Sequence, residues 1–197
     1  MLDNAGINPL QAAILTATVG IVFLSFLLSK GWFAIYKRES LKGLIRSSAF
    51  AALLGLFMIL VDVKVVLPAD LNILFPTSIF FYPAMGFLAE ILFHVIPLAI
   101  LLTFFTSLFK NANKNQILWI CILLVALIEP AYQTIAGYSR PIPMWVIAYA
   151  GLNVFVINLS ELLIFKHYDF VSMYAFRLVY YLVWHIGWGY FRLQLLF

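Results

Sequence analysis

Six stretches of roughly 20 nearly uncharged apolar residues recur along this chain. At 1.5 Å rise per residue each matches the hydrocarbon thickness of a bilayer. In lipid every backbone N–H and C=O must be satisfied within the segment or its closed assembly. Helices do this, and the runs are too long for strands. The composition agrees: 65% of the 197 residues are hydrophobic and 10% are charged. A soluble domain of this size has too little interior to hide that much apolar surface. The expectation is an all-α fold, a polytopic membrane helix bundle of about six transmembrane helices, occupying residues 1–197 as a single integral membrane domain.

The spans are expected at about Pro9–Leu28, Ser47–Val66, Ile79–Leu108, Gln116–Ile135, Met144–Phe165 and Val171–Phe191. The opening Met1-Leu2-Asp3-Asn4 lacks a basic region and a cleavage site, so the first apolar run is expected to stay as a span. Pro83 and Gly86 are expected to break the start of the third span into a re-entrant or tilted piece. The stretch Lys30–Arg46 alternates Trp32, Phe33, Tyr36, Leu41 and Ile45 with Lys37, Arg38, Lys42 and Arg46, a pattern suited to an interfacial helix. Asn111–Asn115 reads as a polar turn and Ser139–Pro143 as a Pro-rich one. Cys121 is the only cysteine, which excludes an internal disulfide and a Cys-based zinc site.

Lys and Arg counts set the orientation. With the first loop inside, the inner loops hold Lys30, Lys37, Arg38, Lys42, Arg46, Lys110, Lys114 and Lys166. The outer side holds Lys64, Arg140 and Arg192. The positive-inside rule then places both termini outside the cytoplasm, in a multi-pass protein of a bacterial inner membrane. The net charge of +4 is a topology signal; no nucleic-acid partner is expected, and lipid is the expected surround.

Four ionisable residues stand within these spans: Glu90 and His94 in the third, Glu129 in the fourth and His185 in the sixth. Such groups are costly in hydrocarbon and mark functional sites by default. Counting from the outer ends, Glu90 lies about 16 Å deep, and Glu129 and His185 about 9 Å deep. His94 is one turn below Glu90 on the same face. All are expected to meet in the outer half of the bilayer. Glu161 and Arg177, near the inner ends of neighbouring spans, are expected to form a structural ion pair. Asp62 and Lys64 are expected to snorkel or face water. Asn153 and Asn158 are expected to bond between helices, and Tyr132 and Gln133 to line a cavity beside Glu129, where Pro130 lets the fourth span bend. Tyr180, Tyr181, Trp184, Trp188 and Tyr190 read as an interface belt with core packing.

Glu-x-x-x-His with a further Glu and His admits three chemistries. A carboxylate can act as general base on water, with an imidazole polarising the developing oxyanion. Glu90, His94, Glu129 and His185 suit a divalent metal such as zinc, iron or manganese, which would activate the water. Or the groups neutralise one another as a buried network that fixes packing.

The segment Gly86-Phe87-Leu88-Ala89-Glu90-Ile91-Leu92-Phe93-His94, the stretch Val125 to Glu129, and the run from Leu162 through Lys166-His167-Tyr168-Asp169-Phe170 to Trp184-His185 carry a resemblance. Over about residues 80–190 the chain resembles the CPBP intramembrane proteases, which include the type II CAAX prenyl proteases and bacteriocin-immunity-like proteins. Glu90 and His185 match that family's Glu-Glu-x-x-x-Arg helix and final His. The family's first Glu falls on Ala89, its Arg on His94, its middle His on Glu129, and the Asn one turn after the last His on Gly189. The resemblance implies a helical membrane fold and peptide-bond hydrolysis, on a membrane-associated peptide or prenylated protein. In that scheme Glu90 is the base, His94 and His185 orient water or bind the oxyanion, and Glu129 holds an imidazole in its tautomer. The competing expectation is a catalytically inactive membrane scaffold or small transporter with a buried Glu/His network; no internal repeat supports a transporter.

Overall fold

A computed structural model of the chain describes residues 9–37, 41–138 and 142–197. Arg38 of the basic loop, and Arg140 with the rest of residues 139–141 of the Pro-rich turn, lie outside the described residues. All regular structure among the described residues is helical. The helices are α1 (Pro9–Ser29), α2 (Leu41–Val65), α3 (Ser78–Ala89), α4 (Ile96–Leu108), α5 (Lys114–Ala126), α6 (Ile128–Gly137), α7 (Met144–His167), α8 (Phe170–Tyr181) and α9 (Gly189–Leu195). They make six rods, because α3 runs into α4, α5 into α6 and α8 into α9. Four rods, Gly43–Val65, Ser78–Leu108, Lys114–Gly137 and Met144–His167, are long and apolar enough to cross a membrane, which makes this an integral membrane protein. Their outer faces carry Leu60, Phe80, Ile100, Phe104 and Leu152, each largely uncovered by protein, as lipid-facing residues are.

The joins between paired helices have identifiable causes. Glu90–Val95 forms a π turn between α3 and α4. Pro97 follows at the second residue of α4; its ring cannot sit against an α-spaced carbonyl, and a widened turn just before it relieves the clash. Leu182–Trp188 forms a second π turn between α8 and α9. Gly187 belongs there because a Cβ would lie 2.9 Å from the Leu182 carbonyl oxygen. In the α5–α6 rod Pro130 has no N–H for the Ala126 carbonyl, and the helix is interrupted at Leu127. The bend expected after Glu129 therefore falls before it.

Two expected features take another form. Pro83 and Gly86 do not break the third rod, which is helical from Ser78 to Leu108. Gly86 instead allows close approach of α8: a Cβ there would be 3.1 Å from the Tyr181 ring and 3.5 Å from Arg177 Cδ. The basic loop holds no separate interfacial helix among its described residues. Residues 30–37 are non-helical, and Leu41, Ile45 and Arg46 open α2. Phe33 is buried and stacks on Phe165 at 4.2 Å. The Ala34 and Ile35 carbonyls accept the Phe170 and Val171 N–H groups at 2.9 and 3.1 Å. Asp169 caps α8 by accepting from Ser172 N at 2.7 Å, and also takes the Lys37 N–H at 2.7 Å. The loop is drawn inward because its backbone supplies acceptors to a helix start.

The core lies where α2, α7 and α8 pack on one another, with α4 and α5 against α1 and α7. A buried ion pair sits at one end of it. Asp62 in α2 is fully buried and takes Arg192 of α9 bidentately, Nε to Oδ2 at 2.7 Å and Nη2 to Oδ1 at 2.9 Å. Trp188 Nε1 donates to Oδ2 at 2.6 Å and Leu67 N to Oδ1 at 2.9 Å. Arg192 also donates to the Leu67 and Pro68 carbonyls at 2.7 and 3.0 Å. Asp62 therefore neither snorkels nor faces water, and Arg192 is no loop charge; Lys64 is exposed as expected. The pair clamps the chain just after Val66, a β-branched residue held at φ 53°, in a region such residues rarely occupy.

Arg192→Ala leaves Asp62 buried without its cation and should destabilise the protein by about 3–5 kcal/mol. An Asp62→Asn/Arg192→Gln double variant should lose less. Unfolding of purified protein in detergent checks this, and an unchanged midpoint for Arg192→Ala would show the pair to be inert.

Candidate functional site

Arg177 is the centre of the polar interior. It sits in the middle of α8, at most a few per cent exposed, and its donors reach three helices or turns at once. Nε donates to Glu90 Oε1 at 2.7 Å. Nη1 and Nη2 donate to the two oxygens of Glu129 at 3.2 and 3.1 Å. Nη2 also donates to Glu161 Oε2 at 2.6 Å and, at 3.4 Å, to Asn158 Oδ1. Nη1 donates to the Tyr181 hydroxyl oxygen at 3.3 Å. The planar guanidinium can serve several carboxylates because its five N–H groups point in fixed, separate directions.

His94 closes the far side. Its Nδ1 lies 2.5 Å from Glu90 Oε2 and 3.8 Å from Glu161 Oε2. Glu90 and His94 are four residues apart on one helical rod, which makes them neighbours on one face. The structural Glu161–Arg177 pair is present as expected, and it is part of the site itself: Arg177 binds Glu90 and Glu129 with the same group. Three carboxylates face one guanidinium and one imidazole, all at most a few per cent exposed. His94 Nε2, Glu161 Oε1 and Asn158 Nδ2 are buried with no partner among the described residues.

His185 is not in this cluster. Its Nδ1 is 2.8 Å from Asn72 Oδ1, and its ring stacks on Tyr82 at 4.5 Å. It nevertheless shares a cavity with the cluster. A space of about 220 Å³ has Glu129, Gln133, Asn158, Arg177, Tyr181 and His185 in its lining. Met58, Leu67, Leu71, Val146, Ile157 and Trp184 form apolar walls. Arg177, Tyr181 and His185 follow at intervals of four along α8 and the π turn, which puts all three on one face. Glu90 and His94 do not line the cavity; they stand behind Arg177.

The four sequence candidates therefore divide. Glu90 and His94 hold Arg177 in place, while Glu129 and His185 reach the cavity. Glu129 binds a guanidinium and the Gln133 amide at 2.9 Å, not an imidazole. The expected metal set of Glu90, His94, Glu129 and His185 is not assembled. Among the described residues, those with metal-ligand spacing are Glu90, His94 and Glu161, whose donor atoms lie within 4.8 Å of one another. A divalent ion does not fit there, because Arg177 already donates to both carboxylates and its charge would repel a second cation.

Other expectations resolve as follows. Asn153 Nδ2 bonds the Leu54 carbonyl at 3.4 Å, and Asn158 meets Arg177, both between helices as expected. Gln133 lines the cavity, but Tyr132 points outward against Phe93. The core packing expected of the aromatic cluster is present, since Tyr180 and Trp184 are buried in the core with Tyr181 and Trp188 packed on it, but Tyr180, Tyr181 and Trp184 also line the cavity and Trp188 serves Asp62. Sequence reasoning missed Asn72, a polar residue in a Pro-bounded connection that gives no periodic signal. It also treated Arg177 as one half of a pair; the excess of carboxylates over cations in the spans was the available hint.

No family model matches the chain, and no curated protein or solved structure shows significant similarity to it.

Arg177→Met removes the cation from three buried carboxylates and should abolish accumulation of folded protein. Converting Glu90, Glu129 and Glu161 to Gln in the same chain should restore a large share of it, because the penalty lies in the unpaired charges. Monodisperse yield on gel filtration in detergent measures both. Equal yields from Arg177→Met and wild type would remove Arg177 from its central place.

Proposed function

We propose that the chain is an intramembrane hydrolase, a divergent relative of the CPBP proteases, that cleaves a peptide bond in a membrane-associated substrate. The observation that carries this is a cavity among the described residues whose wall joins Glu129, Arg177 and Tyr181 to His185. An imidazole, a cation and polar donors thus share a space large enough for several waters and part of a substrate chain, bordered by apolar walls suited to a lipid-soluble substrate. The groups support general-base hydrolysis without a covalent intermediate.

In this scheme His185 Nε2 takes a proton from water as the water oxygen bonds to the scissile carbonyl carbon. The oxyanion that forms is stabilised by the Arg177 charge and by the Tyr181 O–H. That hydroxyl's oxygen already accepts from Arg177, so its hydrogen is free to donate. The C–N bond then breaks and the imidazolium returns its proton to the leaving nitrogen. Glu129 fixes the guanidinium from the cavity side, and Glu90, His94 and Glu161 fix it from behind. The base is thus His185, because Glu90 is enclosed by Arg177 and His94.

A second reading has its own support. Glu90, His94, Glu161 and Arg177 pair off in a dry interior, which is what a non-catalytic scaffold would use to lock helix packing. The topology we propose is common to both: multi-pass, in a bacterial inner membrane, termini outside the cytoplasm, with Lys30, Lys37, Lys110, Lys114 and Lys166 inside.

Reconstituted protein should generate new peptide termini in a pool of membrane-spanning peptides, detected by mass spectrometry. His185→Ala should lower the rate by about 10²–10⁴-fold while the protein stays folded. Glu129→Gln should lower it less, because Arg177 keeps two carboxylates. Absence of cleavage by wild type across such pools would favour the scaffold, and undiminished cleavage in His185→Ala would remove His185 as the base. Reporters fused to each end should read as non-cytoplasmic; a cytoplasmic signal from both ends would invert the topology.

A further inference from the structure

We propose that Asn72 is the positioning residue of the site, holding His185 in the tautomer that carries hydrogen on Nδ1 and presents a bare Nε2 to the cavity. This rests on the hydrolase proposal for its purpose, though not for its geometry. Asn72 comes from the connection between α2 and α3, far from His185 in sequence, and is buried. Its Oδ1 lies 2.8 Å from His185 Nδ1. The direction of that bond is set by a relay. The Ile73 N–H donates to the Tyr82 hydroxyl oxygen at 2.9 Å, which turns the single Tyr82 hydrogen toward its other neighbour. That neighbour is Asn72 Oδ1, at 3.4 Å. An amide oxygen receiving the Tyr82 hydrogen is an acceptor, so the His185 Nδ1 facing the same oxygen must be the donor. A neutral imidazole has one N–H, so Nε2 is left with its lone pair, and it has no partner among the described residues.

The rest of the surroundings hold this arrangement. Tyr82 stacks on the imidazole at 4.5 Å, and Tyr181 packs edge-on at 5.0 Å. Both limit rotation of the ring. Gly189 leaves room for the Asn72 side chain, since a Cβ there would lie 3.2 Å from Asn72 Cβ and Nδ2. Below Asn72 the connection is tied down by Arg192, through the Leu67 and Pro68 carbonyls. The amide is thus presented by a braced segment, and the tautomer it selects is the one a general base needs: lone pair toward the water, hydrogen toward the support.

The test reads the imidazole directly. The full chain, labelled with ¹⁵N-histidine and held in detergent at about pH 8, where an imidazole is neutral, contains only three histidines, so His185→Gln assigns the third signal set. In wild type the His185 Nε2 resonance should lie in the unprotonated range and Nδ1 in the protonated range. Asn72→Asp keeps an acceptor oxygen and should keep both positions. Asn72→Ala should shift Nε2 toward the protonated range. Tyr82→Phe frees the amide to turn and should shift it partway, which keeps the test open if Asn72→Ala fails to fold. A protonated Nε2 in wild type overturns the proposal, as does an unshifted spectrum in Asn72→Ala or, failing that protein, in Tyr82→Phe. If the shifts occur as expected and no variant or wild type cleaves peptides, Asn72 keeps its place and the hydrolase proposal fails alone.

Discussion

One desolvated guanidinium organises this bundle. Arg177 stands in the interior of an integral membrane protein and meets Glu90, Glu129 and Glu161 from the third, fourth and fifth rods. None of these four groups is tolerable there alone, since an isolated charge out of water costs several kcal/mol or more. Together they satisfy one another, and doing so fixes how four rods are rotated about their axes. Apolar side chains cannot set this, because lipid tails and Leu side chains offer a helix similar surroundings. The same contacts that specify the packing also pin the cation at the wall of the cavity. Structure and candidate chemistry are therefore two consequences of one interaction.

The helix irregularities serve that interaction. The two π turns fall on Glu90–Val95 and Leu182–Trp188, the segments that carry Glu90, His94 and His185. An added residue in a turn rotates everything beyond it, so a side chain can be re-aimed without breaking the rod. The interruption at Leu127 does the same for Glu129. Each has a sequence cause close by: Pro97, Gly187 and Pro130. A second buried pair, Asp62 with Arg192, plays the matching part at one end of the bundle. It ties α9 to the connection that brings Asn72 under His185, so the two halves of the site are each held by an ion pair that spans helices.

Much of this was open to a reader of the residues alone. The six rods follow from runs of apolar residues, and the structure places their ends within a few residues of those expected, apart from α2, which starts earlier at Leu41. The contact of Glu90 with His94 follows from their spacing, and the Glu161–Arg177 pair from the cost of leaving either unpaired. What was misjudged shares one cause. Asp62 and Arg192 lie near span ends, where distance from water is small along the chain, and only packing of α2 against the end of the last rod removes that water. Tyr180, Tyr181 and Trp184 have the composition of an interface belt, yet the rotation of α8 turns them to the cavity. Asn72 had no signal at all, since a single amide in a loop has no period to read.

The order of residues by itself determined that this chain lives in lipid, that it does so as helices, and that ionisable groups are concentrated in several of them. Those conclusions depend on local quantities: hydrophobicity summed over a span, and backbone hydrogen bonds satisfied within it. That one guanidinium meets three acids at once was decided only by the tertiary structure. That choice depends on the rotation and depth of each rod, and these are set jointly by Gly86 admitting α8, by two widened turns, and by a guanidinium with enough donors to hold three carboxylates. The division of Glu90 and His94 from Glu129 and His185 is a property of that assembly, because Arg177 stands between them.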